Sequence, residues 1–168
     1  LFLEAESFTV TLMDNPISID LGGIGKGFAI DKLMGTFLEW GIEIVLLNSG
    51  KSTFLAKQAP KGEAGWPMTI YHPKTNEHIK QVNLKHNAMA GSGMGKGKHI
   101  ISPTNYKPVQ HRLGAWSMAK TGADADALST SFMIMDEADI QKFVKNNSDF
   151  GGIVVDEKGS VLMIGNWD

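Results

Sequence analysis

In residues 121–130, TGADADALST, a carboxylate and a hydroxyl stand four residues apart at Asp126 and Thr130. If residues 125–135 form a helix, that spacing makes the two side chains neighbours on one face. Leu128, Phe132 and Met135 then line an apolar face of the same helix. One carboxylate and one hydroxyl are too few oxygens for calcium. They suit magnesium, which keeps several waters and shares its shell with substrate phosphates. Asp124 is two residues from Asp126, so it points elsewhere and is expected to cap the helix. Read locally, the same letters also describe a solvated helix start.

Three further stretches hold chemistry-bearing residues. DLGGIGKG, residues 20–27, falls between an expected strand and a helix start, where free N–H groups and the helix dipole favour phosphate. Lys26 adds a charge there, although a tight corner with a solvated lysine fits the letters too. A dinucleotide-binding G-x-G-x-x-G would need glycine where Phe28 stands. LLNSGKST fails as a P-loop, because Val45 occupies the first glycine position and Pro60, Gly62 and Gly65 break any following helix. Of the five histidines, none pairs at metal-ligand spacing on a helix. His72, His78, His86 and His111 read as surface or turn residues. His99 differs, because it opens a short apolar strand after the glycine-rich run AGSGMGKGK.

Mixed elements must position these groups. SFTVTL alternates Phe8, Val10 and Leu12 as a half-buried strand, and ISIDL reads as a second strand after the turn MDNP. Ile30, Leu33, Met34, Phe37 and Leu38 form a helical stripe that Gly41 ends. IEIVLL reads as a buried strand. A hairpin turns at PKTNE, with Met68 and Ile70 facing Val82 and Leu84. AWSMA is a strand leading into the aspartate helix. The next helix has Asp136 as N-cap and Ile140, Phe143 and Val144 inward. A last hairpin turns at DEKG. The expected class is α+β, or mixed α/β, in one domain over residues 1–168.

Composition narrows the function. Hydrophobic residues make up 42% and charged residues 20%, as in ordinary globular domains. A net charge of −2 gives no reason to expect nucleic acid. No apolar run is long enough to span a bilayer, and no signal peptide is visible. The start at Leu1 without Met suggests a trimmed or processed N-terminus. With no cysteine, disulfides, thiolate metal sites and a cysteine nucleophile are excluded.

Four segments, in this order, resemble the ApbE-type flavin transferase family. DLGGIGKGFAID is similar to D-L-G-x-I-x-K-G-[YF]-A-x-D, and LLNSGKSTFLA to an N-x-G-G-x-S segment. AGSGMGKGKHIISP resembles A-T-S-G followed by H-I-I-D-P, and ADALSTSF resembles A-D-A-L-S-T-A-x-F. Ser102, Gly91 and Lys51 stand where the family carries aspartate, threonine and the second glycine, and the insert before His99 is cut to MGKGK. The resemblance implies an ApbE-like domain without the family's usual N-terminal segment. It implies magnesium-dependent transfer of FMN from FAD to a serine or threonine hydroxyl of a target flavoprotein, with AMP released. Hydrolysis of FAD to FMN and AMP, or FAD binding without catalysis, is the alternative. In family terms Asp126, Thr130 and the Gly23 carbonyl hold Mg2+, while Asp20, Lys26 and the strand around Ile100 contact FAD. His99 is the base toward the acceptor, and the location is extracytoplasmic, as for a lipoprotein.

Overall fold

The computed structural model describes residues 2–11 and 19–167. Its centre is a six-stranded antiparallel sheet built from β3 (Leu46–Ser49), β4 (Thr53–Ala56), β7 (Ala88–Gly93), β8 (Arg112–Ala119), β9 (Gly151–Asp156) and β10 (Val161–Gly165). The spatial order is β10-β9-β8-β7-β4-β3. Strand alternation divides the labour between its faces. Ala88, Ala90, Ala115 and Ala119 are small and point to one face, where α1 (Gly25–Glu39), α2 (Gly122–Ile134) and α3 (Glu137–Asn146) pack. Met89, Met118 and Ile153 point to the other and meet Ile70, Val82 and Leu84 of the hairpin β5 (Trp66–Tyr71) and β6 (His78–Leu84). Alanines under α2 let its backbone come close to the sheet, and that closeness later matters for Asp126. An antiparallel sheet with its helices on one face is the α+β arrangement.

Local signals account for most elements. The C-terminus of α1 is a Schellman motif: Gly41 N–H bonds the Leu38 carbonyl and Ile42 N–H the Phe37 carbonyl, with Gly41 at φ 73°. Asp136 caps α3 by accepting from Asp139 N–H. The β5–β6 register puts Met68 opposite Val82, while Leu84 opposes Trp66 and Ile70 opposes Lys80. The β9–β10 turn closes on Asp156, whose carboxylate accepts from the N–H groups of Lys158 and Ser160.

Several expectations need correction. Phe8 lies in the turn before β2 (Thr9–Thr11) and Val10 within it, and both are exposed, because among the described residues β2 pairs only with β1 (Phe2–Glu4) and none covers either face. Residues 12–18, with the turn MDNP, Leu12 and the start of ISIDL, lie outside the described residues, and residues 19–21 are irregular. Leu33 is exposed, leaving Ile30 and Met34 as the buried residues of the α1 stripe. β3 starts at Leu46, since Ile44 makes only an isolated bridge to Gln58. His72 is buried rather than superficial. Its Nδ1 accepts from Lys74 and Thr75 N–H, and its Nε2 bonds the Gly159 carbonyl, tying the two hairpin turns together. The glycine-rich run and the apolar HIIS exchange roles: AMAGSG is strand β7, whereas Ile101 makes only a bridge to Pro108. Packing overrides glycine's weak strand preference, since a Cβ on Gly91 would come within 2.8 Å of the Trp116 indole.

Candidate active site

Two helix starts, far apart in sequence, build the site. An α-helix leaves its first N–H groups without partners, and carboxylates are favoured there. Here each helix supplies the other's carboxylate. Asp31 of α1 accepts from Gly122 N–H at 2.6 Å and Ala123 N–H at 2.8 Å, at the start of α2. Asp126 of α2 accepts from Gly27 N–H at 3.1 Å, in the first turn of α1. The crossing requires glycine on both sides, because a Cβ on Gly27 would overlap the Gly122 carbonyl and one on Gly122 would meet the Gly27 carbonyl. Within α2 itself, Thr121 is the N-cap and bonds Asp124 reciprocally, so Asp124 is the capping partner and not the cap.

Asp126 is 1% exposed, so the solvated helix start does not describe it. Its Oδ1 accepts from Lys26 Nζ at 2.8 Å and from the Thr53 hydroxyl at 3.0 Å. With Gly27 on Oδ2, the carboxylate has three donors drawn from α1 and β4. Thr130, one turn on, is half-buried; its hydroxyl lies 3.1 Å from that of Ser92 at the end of β7. Ser92 in turn meets Ser129, whose hydroxyl donates to the Asp126 carbonyl. The position a Cβ would take on Gly23 is 3.4 Å from Thr130 Oγ1, so the 22–24 turn abuts the hydroxyl.

These groups front a cleft of about 700 Å³. Asp20, Gly23, Lys26, His99, Ile100 and Thr130 all line it, with Asp126 directly behind Lys26. The Asp20 carboxylate accepts from Gly22 N–H at 2.8 Å and shapes the turn before α1. Ile100 is buried, and its carbonyl accepts from Val109 N–H. His99 is exposed on a loop rather than on the expected strand, and its Nδ1 lies 2.9 Å from the Gly97 carbonyl oxygen. A carbonyl only accepts, so Nδ1 carries the proton and Nε2 of the neutral ring is the free basic nitrogen. Lys51 stands in a hairpin turn between β3 and β4, with Gly50 and Lys51 both at positive φ, and no helix follows. The P-loop exclusion therefore agrees with the fold.

Thr130 and the Gly23 turn stand side by side at the cleft, with the Asp126 carboxylate behind Lys26. A cation, the Lys26 ammonium, already sits on Asp126. Among the described residues no three His, Cys, Asp or Glu side chains converge as a metal group. Sequence reasoning missed Asp31, Thr53 and Ser92. The available signal for Thr53 was a β-branched hydroxyl residue leading directly into the apolar run Phe54–Ala56. Asp31→Ala is expected to cost about 1–3 kcal/mol, the scale of losing bonds to a charged acceptor. Urea unfolding should detect that loss, and an unchanged midpoint would contradict the mutual capping.

The arrangement has relatives. A model of the ApbE family matches residues 3–154. The FAD:protein FMN transferase of Klebsiella pneumoniae (strain 342) is 27% identical over 140 residues, covering 76% of this chain and 39% of that protein. That of Escherichia coli (strain K12) is 28% identical over 130 residues, 70% of this chain and 36% of its own length. The chain thus spans well under half the length of these curated relatives. Among solved structures, the ApbE protein of Thermotoga maritima superposes with a TM-score of 0.83 at 24% identity, over 97% of this chain and 56% of that one. The flavin transferase ApbE from Vibrio cholerae gives 0.75 at 22%, over 87% and 50%. At these identities the solved structures speak for the fold. The family match, however, runs from β1 to β9 and takes in both mutually capped helices and the whole cleft front, and on that span the chain belongs to the ApbE family.

Proposed function

We propose that this chain transfers FMN from FAD to a serine or threonine hydroxyl of a target flavoprotein, releasing AMP, with Mg2+ required. The observation that carries the reading is one cleft shared by Asp20, Gly23, Lys26, His99, Ile100 and Thr130 in front of Asp126. Asp20 and Ile100 contact FAD, and Lys26 with the first turn of α1 faces its diphosphate. Mg2+, held by Asp126, Thr130 and the Gly23 carbonyl, would neutralise charge on the diphosphate as it is split. The acceptor oxygen forms a bond to the FMN-side phosphorus, and the bond from that phosphorus to the AMP oxygen breaks. The hydroxyl proton passes to Nε2 of His99. AMP leaves with the bridging oxygen.

His99 is open to water, and that favours a second outcome at the same site. Water in place of the acceptor gives free FMN and AMP. An extracytoplasmic location, as for a lipoprotein, belongs to this reading. No helix among the described residues is long and apolar enough to cross a membrane.

The test is to incubate the chain with FAD, Mg2+ and an acceptor flavoprotein carrying a serine or threonine target. Equal amounts of AMP and acceptor-bound flavin are expected. AMP with only free FMN would assign hydrolysis. Tight FAD binding with no AMP would reject the enzyme and leave an FAD-binding module.

A further inference from the structure

The Lys26 ammonium sits where a divalent cation would have to bind. Its Nζ is 2.8 Å from Asp126 Oδ1, and that carboxylate is 1% exposed. Thr53 donates to Oδ1 and Gly27 to Oδ2, with bonds that are part of the fold. Lys26 is the one partner that can leave. Its side chain is 35% exposed and lines the cleft, with its stem beside Gly50. A lysine is a point charge on a flexible four-carbon stem, so swinging the head from carboxylate to cleft requires no backbone movement. A divalent cation and an ammonium on one carboxylate oxygen repel strongly in so dry a place. A diphosphate in the cleft offers the ammonium a second anion and offers the metal further oxygens.

We infer that Lys26 is a resident counter-ion that closes Asp126 to divalent cations until a diphosphate draws it away. Metal loading is thereby linked to nucleotide binding at this site. The inference rests on the proposed magnesium site and adds the order in which it fills. Linkage is reciprocal, so a diphosphate that raises the metal's affinity must itself bind more tightly, by the same factor, when the metal is present.

The experiment titrates Mn2+ alone, by electron paramagnetic resonance, into the chain and into its Lys26→Gln and Lys26→Met variants, without nucleotide. Gln keeps a donor to Asp126, and Met tests the charge without it, so one variant serves if the other fails to fold. Both are expected to bind Mn2+ roughly 5–150-fold more tightly than the parent chain, the usual range of a coupling between sites. Adding Asp126→Asn to either variant should abolish that binding. Equal, Asp126-dependent Mn2+ affinity in all three proteins would overturn the exchange and leave the proposed reaction standing. No Asp126-dependent Mn2+ in any of them, with FAD present or absent, would overturn the metal reading and the exchange together.

Discussion

Asp126→Asn is expected to lower Mg2+-dependent release of AMP from FAD by roughly 10²–10³-fold, the effect of removing one preorganised electrostatic contact from a phosphoryl-transfer site. Asparagine keeps the shape and one acceptor oxygen, so the bonds from Gly27 and Thr53 can persist in part while the only charged ligand is lost. It is a cleaner probe than alanine. Asp126→Ala would also strand Thr53 and the Gly27 N–H, at a cost of about 1–3 kcal/mol for each buried group left unpaired. Asp124→Ala is the control: Asp124 is exposed and bonds only within the first turn of α2. It should trim stability and leave turnover close to that of the parent chain. Equal losses of turnover from Asp124→Ala and Asp126→Asn would contradict the assignment of the metal to Asp126.

His99→Asn carries the second large effect. FAD affinity should be unchanged, and flavin transfer to the acceptor should slow by roughly 10²–10⁴-fold, the usual contribution of a positioned base. The side-chain amide can still donate to the Gly97 carbonyl, so the loop conformation is preserved while the basic Nε2 is gone. Position 102 is serine, so no carboxylate at that position replaces the imidazole. Fluorescence of the covalent flavin product reads the rate, and FAD titration reads the affinity. A transfer rate unaffected by His99→Asn would remove the base from the mechanism.

How far the sequence carried the site can be judged residue by residue. The i, i+4 spacing put Asp126 beside Thr130 correctly, since a helix enforces it. The same spacing is silent about what covers that face. The Thr53 hydroxyl and the Gly27 N–H reach Asp126 from 73 and 99 residues away, and only the closed fold brings them there. Lys26 was legible as a cleft cation but not as the partner of Asp126 Oδ1, for the same reason. The helices and the hairpins at PKTNE and DEKG were readable because their apolar period and turn residues are local. Strand β7 was not, because the Trp116 ring lying over Gly91, and not strand preference, selects glycine there. Val10 shows the converse case: alternation gives a strand, yet burial needs a covering layer that the described residues do not provide.

The most direct measurement of the central claim is a crystal of the chain grown with FAD and Mn2+, with anomalous scattering used to locate the metal. The account predicts an anomalous peak bonded to Asp126, Thr130 and the Gly23 carbonyl, the FAD diphosphate beside it, and Lys26 Nζ moved from Asp126 onto phosphate. FAD bound away from the cleft that Lys26 and His99 line, or Lys26 still on Asp126 with no metal beside an occupied diphosphate, would contradict it.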